Sequence, residues 1–319
     1  MASKNIFVLD PYHKDAIALL QSTPGLDLVL PDDPRRSQWR AEADGIIVRS
    51  ETHITAADFE AASRLKVVVK QGVGVDNIDL QAAKSAGVAV HNTPALNSEA
   101  VAELSLALAL SLSRRVTDID RRIRKGERVI RSQALGLSLF HKTVGIIGMG
   151  NIGREAAKKW AGACQSTIIG YDPVAPQDVW QDIPHRRVKD LKDLIRESDV
   201  VTLHVPLLPS TRGMIGATEL ELMKDNAILI NTARGGLVDE KALLGALKQR
   251  RIWGAVLDAM ETEPPTLDAY SELLELDNVI LTPHIGASTI ENQSNSGIAV
   301  VKILLSVLAN EKHVAGKLV

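Results

Sequence analysis

The chain has 319 residues, 45% of them apolar and 24% charged, with a formal net charge of −2 at neutral pH. That is an ordinary globular composition with room for about two domains. The near-neutral charge gives no signal for nucleic acid or an anionic membrane surface, and no apolar run is long enough to cross a bilayer.

The opening "MASKNIFVLD" runs straight into a strand and lacks the apolar h-region of a secretory signal. Over the first hundred residues, "NIFVLD", "LDLVL", "GIIVRS", "KVVVKQ" and "VAVHN" read as strands, with "PYHKDAIALLQS" and "LQAAKSAG" as helices. This alternation predicts a parallel α/β sheet. The long segment "NSEAVAELSLALALSLSRR" follows. Asn97 or Ser98 can cap it as a helix, and Glu99 suits its first turn. It is apolar on nearly every face, so it is expected to be buried on more than one side, between domains or in a homodimer interface through residues 98–113. The basic run from Arg114 to Arg131 also holds Asp118, Asp120 and Glu127, which reads as a solvated helix face.

At residue 143 the alternation resumes with "TVGIIGMGNIGRE". A β-branched strand leads into Gly148, Gly150 and Gly153, spaced G-x-G-x-x-G, and "REAAKKWAGA" continues as a helix. The first glycine allows the tight turn, the second lets the backbone approach a pyrophosphate, and the third lets helix and strand pack closely. The free N–H groups of the helix start then face the phosphates. The lone cysteine, Cys164, lies between this helix and the next strand and reads as packing in a reducing compartment. That strand, "STIIGYD", ends at Asp172, 19 residues beyond Gly153 (172 − 153). An acid at that distance binds the ribose hydroxyls of NAD and repels the extra phosphate of NADP. No arginine follows Asp172 directly, which also disfavours NADP.

"DVVTLHVP", "AILINTA", "WGAVLDAM" and "NVILTPH" complete six strands, and "TIENQSNSGIAVVKILLSVLAN" reads as a last helix. The expected architecture is two doubly wound parallel-sheet domains of the α/β class. A Rossmann nucleotide-binding domain, 99–285, is inserted into a flavodoxin-like substrate domain made of 1–98 and 286–319. A cleft between them is expected to hold cofactor on one side and substrate on the other.

In a doubly wound sheet, ligands bind beyond the carboxyl ends of the strands. After "AILINTA" comes Arg234; "WGAVLD" ends in Asp258 and is followed by Glu263; after "NVILTP" comes His284. Alone, each has a plain reading as surface ion pair, loop acid or structural histidine. Together they suit hydride transfer to a ketone. A histidine can donate the proton, a carboxylate can hold the imidazolium, and an arginine can clamp a 2-oxo acid and polarise its carbonyl. No metal-ligand pattern accompanies them.

The segments "GVGVDNIDL", "VHNTPALNSEAVAEL", "GIIGMGNIG", "HVPLLPSTRGMIG", "NTARGGLVDEKAL", "VLDAMETEPP" and "PHIGAST" resemble the D-isomer-specific 2-hydroxyacid dehydrogenase family over nearly the whole chain. The resemblance implies an NAD-dependent enzyme that moves a hydride between NAD(H) and a D-2-hydroxy acid. It implies that Arg234 binds and polarises substrate, Glu263 tunes the histidine, and His284 is the acid/base. Asn151 and Ile152 would lie along the pyrophosphate, Asp172 on the ribose and Asp258 against the nicotinamide amide, with Val205, Ala233 and Gly286 also at the cofactor. The backbone of Val73 and Gly74 would bind the substrate carboxylate. "LDAM" departs from the larger Val-Phe or Val-Tyr pair usual in the family and is expected to widen the pocket slightly.

Within the family, "GVGVDNID", "NTPALNS" and "PHIGAST" look most like phosphoglycerate dehydrogenases. By that likeness Arg49 and Lys70 approach a substrate phosphate; the alternative pairs Arg49 with Glu51. The sequence runs to Val319, and the expectation is a short form without the regulatory domain that many such enzymes carry, as in glyoxylate/hydroxypyruvate reductases. An NADH-responsive corepressor-like binding protein is the alternative of another class. Formate or phosphite oxidation on this fold would need further pocket residues. "GKLV" is not a peroxisomal address, and a cytoplasmic setting is expected.

Overall fold

A computed structural model describes residues 3–319, which divide into two compact units: the chain up to Asn97 with Ala287–Val319, and Ser98–Gly286. In the first unit, β1 (Lys4–Val8), β2 (Leu26–Val29), β3 (Gly45–Val48), β4 (Val67–Lys70) and β5 (Ala89–Asn92) form a parallel sheet of order β2-β1-β3-β4-β5. This is the flavodoxin-like doubly wound order. Every residue of β3 and β4 is buried, because helices cover both faces and the strands can be continuous apolar runs. Successive side chains serve opposite faces. Val8, Ile47 and Val69 pack with Val300, Val301 and Leu304 of the helix Ile290–Leu308, whereas Phe7, Ile46 and Val68 pack with Phe59 and Ala83. The C-terminal tail runs beside β5, with Leu318 N–H donating to Val90 O and Asn92 N–H to Gly316 O. That pairing covers a sheet edge that would otherwise be open.

The second unit holds β6 (Thr143–Ile147), β7 (Thr167–Tyr171), β8 (Arg186–Arg187), β9 (Val200–Leu203), β10 (Ile228–Asn231), β11 (Gly254–Leu257) and β12 (Val279–Leu281). All are parallel, in the order β12-β11-β10-β9-β6-β7-β8. The arrangement β8-β7-β6-β9-β10-β11 is the Rossmann order, extended by β12. The six expected strands are present and β8 is added. A two-residue edge strand of arginines carries no apolar run, so no sequence pattern marks it.

The helix Ser98–Ser113 packs on the helix Asn151–Cys164 and on β10, β11 and β12. Ala102, Ala109 and Leu112 share a core cluster with Ala156, Trp160 and Val256. Its outer row, Glu99, Glu103, Ala107 and Leu110, is exposed, and Lys159 stands 3.5 and 3.8 Å from the two acids. Neighbours within its own unit therefore cover most of the apolar surface. The large apolar side chains left exposed are Leu110 and, further along, Val116, Ile123, Ile130, Leu135 and Phe140. Three arginines of the basic run pair within it: Arg115 with Asp118 (2.8 Å), Arg124 with Asp120 (2.7 Å) and Arg122 with Glu127 (2.7 Å). Cys164 is buried, and burial pushes its thiol up. Among the described residues, no helix is long and apolar enough to cross a membrane.

Candidate active site

The glycine turn joins β6 to the helix Asn151–Cys164. Gly148 has φ +99°, and a Cβ there would lie 2.3 Å from the His204 carbonyl oxygen. A Cβ on Gly153 would lie 2.1 Å from the Gly148 oxygen, so helix and strand touch at that point. A Cβ on Gly150 would meet nothing within 4 Å, so the turn is open on that side. The bond from Arg154 N–H to Gly150 O begins the helix, and the amides of Asn151, Ile152 and Gly153 precede it. Such amides serve an anion. Val205, after β9, leans against the turn: its Cγ1 would be 2.8 Å from a Cβ on Gly148.

Asp172 directly follows β7 and ties it to the glycine turn. Its Oδ2 accepts from Met149 N–H at 2.9 Å, and its Oδ1 accepts from Val174 and Ala175 N–H at 3.0 Å. Sequence reasoning missed Arg187 on β8, which the parallel pairing of β7 and β8 brings back to this corner. Its guanidinium donates to the carbonyls of Asp172 (2.5 Å), Ala175 (2.8 Å) and Pro176 (2.8 Å). Those three acceptors tie it to the main chain of the Asp172 loop.

At the other end of the sheet, Arg234, Glu263 and His284 all follow strand ends, after β10, β11 and β12. His284 Nδ1 lies 2.8 Å from Glu263 Oε2, and the Met260 amide donates to Glu263 Oε1 at 3.0 Å. Burial works to raise the Glu263 carboxyl, but the bonds from His284 and Met260 and the charges of His284 and Arg234 outweigh it and hold it low. With Nδ1 engaged, Nε2 is the ring's other proton site. Arg234 donates from Nη1 to the Ala233 carbonyl at 2.7 Å. Its turn is set by Asn231, also missed from sequence. The Asn231 side chain donates to Arg234 O (2.8 Å) and Ala259 O (3.1 Å) and accepts from Ala233 N–H (3.1 Å). A buried amide at a strand end, in "NTARGG", is the signal that could have found it.

Asp258 is fully buried. Its Oδ1 accepts from the Thr282 hydroxyl (2.6 Å) and Ile285 N–H (2.8 Å), and its Oδ2 accepts from Gly286 N–H (2.9 Å). These bonds close the turn on which His284 sits with φ +55°, a left-handed conformation that a non-glycine residue holds only when its surroundings impose it. The partners of Asp258 are thus the turn's own groups. Ala259 and Met260 are buried too, so the "LDAM" departure is accommodated in the core of the unit.

In the first unit, Arg49 follows β3 and Lys70 ends the adjacent β4, where Val48 and Lys70 are register partners. Arg49 donates to Pro11 O at 3.1 Å, not to Glu51, while its own amide and the Thr52 hydroxyl both donate to buried Asp10. Lys70 is buried, with Nζ 3.0 Å from Gln71 O and 3.4 Å from Ser50 Oγ. Gly72 has φ +105° and turns the chain so that Val73 and Gly74 follow at the strand end, with Val73 O accepting from Asn92 Nδ2 at 2.7 Å.

A nucleotide-binding unit with an Arg, Glu and His at adjoining strand ends defines a class of dehydrogenase. The D-isomer specific 2-hydroxyacid dehydrogenase NAD binding domain matches residues 106–286. The chain is 43% identical over 308 residues to D-3-phosphoglycerate dehydrogenase of Methanocaldococcus jannaschii, an alignment spanning 96% of this chain and 58% of that relative. It is 41% identical over 311 residues to hydroxypyruvate reductase of Thermotoga maritima, covering 97% of this chain and 99% of the relative. D-Lactate dehydrogenase of Aquifex aeolicus, solved with NAD and lactic acid, superposes with a TM-score of 0.82 at 31% identity, covering 97% and 96% of the two chains. The chain belongs to the D-isomer-specific 2-hydroxyacid dehydrogenase family, and its second unit is an NAD-binding domain. The groups present fit that dinucleotide: open space over Gly150, three amides ahead of the first helical bond, and a carboxylate at the end of β7.

Proposed function

We propose that this protein is an NAD-dependent 2-hydroxyacid dehydrogenase that interconverts a D-2-hydroxy acid and its 2-oxo acid. The observation that carries the reading is the 2.8 Å pair of His284 and Glu263 at the strand ends of an NAD-binding unit, with the charge of Arg234 acting on the same carboxylate. Bound NADH supplies the hydride. In reduction, His284 gives the proton on Nε2 to the oxygen that becomes the hydroxyl. Glu263 fixes the ring through Nδ1 and stabilises its cationic form. Arg234 binds the oxo acid and draws charge onto the carbonyl oxygen. The amides of Val73 and Gly74 take the substrate carboxylate. Arg49 and Lys70 take a phosphate if the substrate pair is 3-phosphoglycerate and 3-phosphohydroxypyruvate; glyoxylate and hydroxypyruvate are the alternative. A cytoplasmic setting goes with this reading and with the unpaired, buried Cys164.

Initial rates with NADH and a panel of 3-phosphohydroxypyruvate, hydroxypyruvate, glyoxylate, oxaloacetate and bulkier 2-oxo acids test the reading. Turnover of at least one is expected. NADH binding without turnover of any would point instead to a binding protein of the corepressor kind.

Cofactor choice should follow Asp172. Its carboxylate suits the two ribose hydroxyls of NAD and repels a 2′-phosphate. The wild type is expected to prefer NADH, and Asp172→Ala to shrink that preference while raising the KM for NADH. Equal kcat/KM with NADPH in the wild type would defeat this assignment.

We also propose a homodimer. Leu110, Val116, Ile123, Ile130, Leu135 and Phe140 are large apolar side chains left exposed on one stretch of the second unit. Such accumulation marks an association surface. Sedimentation should give twice the 34.5 kDa protomer mass at micromolar concentration; a 34.5 kDa species there would remove the proposal.

A further inference from the structure

Glu263 sits on the loop between β11 and the helix Leu267–Leu274, and regular structure does not hold that loop. Side chains do. Three successive amides of the loop each have a side-chain acceptor. Met260 N–H donates to Glu263 itself. Glu261 N–H donates to Glu240 Oε1 at 2.7 Å, and Thr262 N–H donates to the Tyr270 hydroxyl at 2.9 Å. The Tyr270 hydroxyl in turn donates to Glu240 Oε2 at 3.0 Å, joining the last two into one network. Glu240 starts the helix Glu240–Lys248 behind its cap Asp239, so its backbone is anchored. The Tyr270 ring is buried in the same core cluster as Met260 and Leu273.

We propose that Glu240 and Tyr270 are positioning residues that aim Glu263 at His284 by holding the amides of Glu261 and Thr262. The proposal rests on the reading in which His284 and Glu263 carry the proton chemistry. The loop hydrogen bonds decide where the Glu263 backbone lies, and a hydrogen-bonded pair at 2.8 Å tolerates little drift. The electrostatics agree with the geometry. Burial raises the Tyr270 hydroxyl, as does the charge of Glu240, so it remains a protonated donor through the working pH range. Burial also raises Glu240, and the charges of Glu261 and Glu263 push the same way, against the bonds from the Glu261 amide and Tyr270.

Tyr270→Phe removes the hydroxyl that links Thr262 N–H to Glu240 and leaves the ring in the core. It is expected to lower kcat for 2-oxo acid reduction about tenfold, with NADH affinity unchanged. In a Glu263→Gln background the same change should cost nothing further, because there is no carboxylate left to aim. A folded Tyr270→Phe protein with wild-type kcat would overturn the proposal. So would an equal fold-loss in both backgrounds, since that is the mark of a merely structural tyrosine. If Tyr270→Phe fails to fold, Glu240→Gln carries the same cycle with the same expectations. Glu263→Gln with unchanged kcat would overturn the proton-chemistry reading itself, and the positioning proposal with it.

Discussion

Replacing His284 with alanine is expected to lower kcat for reduction by roughly 10²–10⁴-fold, the range for loss of a positioned acid/base. NADH binding should survive, because the glycine turn and Asp172 belong to the opposite end of the sheet order from β12. The fold should survive too, because the half-exposed ring leaves no cavity and its main-chain turn is closed by Asp258 and Thr282. If His284 only closed a strand end, the variant would lose stability and keep its turnover per folded molecule. Measuring kcat and NADH affinity on folded protein separates the two, and near-wild-type kcat would remove His284 from the chemistry. Glu263→Gln, which takes away the carboxylate partner 2.8 Å from the ring, should lower kcat as well. On the acid side the sign is set by Glu263, whose carboxyl is held low. A carboxyl held low contributes its stabilisation above its unfolded value of about 4.3 and loses it as pH falls through the lowered folded value. The pair is therefore expected to stay intact through the mildly acidic range, which a pH titration of thermal stability in wild type and Glu263→Gln would check.

Alanine at Gly153 and alanine at Gly150 are expected to fail in different ways. At Gly153 the new Cβ would sit 2.1 Å from the Gly148 carbonyl oxygen and 3.2 Å from Trp180. The obstacle is backbone, which cannot rotate aside, so the helix must shift at a cost of about 1–3 kcal/mol or more. A lower melting temperature and loss of NADH binding should appear together. At Gly150 the Cβ meets no protein atom within 4 Å. It occupies the open side on which a pyrophosphate would approach. Gly150→Ala should therefore keep its melting temperature while weakening NADH binding at least about tenfold. Thermal unfolding and fluorescence titration of NADH on both variants test this. Wild-type NADH affinity in Gly150→Ala would mean that the second glycine does not serve close approach to the cofactor.

Much of the candidate site is legible in the sequence because its signals are local. Gly148, Gly150 and Gly153 are read from a turn that only small residues permit, and Asp172 from a strand of predictable length. Arg234, Glu263 and His284 each follow an apolar run that can only be a strand. What escaped were residues whose role depends on a distant partner. Arg187 reaches the Asp172 loop only because β8 pairs with β7. Asn231 spans two strand-end loops, and Tyr270 meets Glu240 across 30 residues. The helix 98–113 shows the same limit. Its apolar composition was plain, but composition does not say whether the cover comes from the unit's own sheet or from another surface.

The sequence by itself determined the parallel α/β class, the insertion of a nucleotide-binding pattern after residue 98 and the residues that follow each strand, because periodicity, turn chemistry and strand length act over a few residues. The tertiary structure alone decided the order of the strands and the short β8 at the sheet edge. It alone paired Asp258 with Thr282, Ile285 and Gly286, and built the Glu240–Tyr270 support beneath Glu263. Those choices are made by which side chains come to lie within hydrogen-bond reach once the sheet has stacked. No local pattern encodes a distance between residues that meet only through the packing of the whole unit.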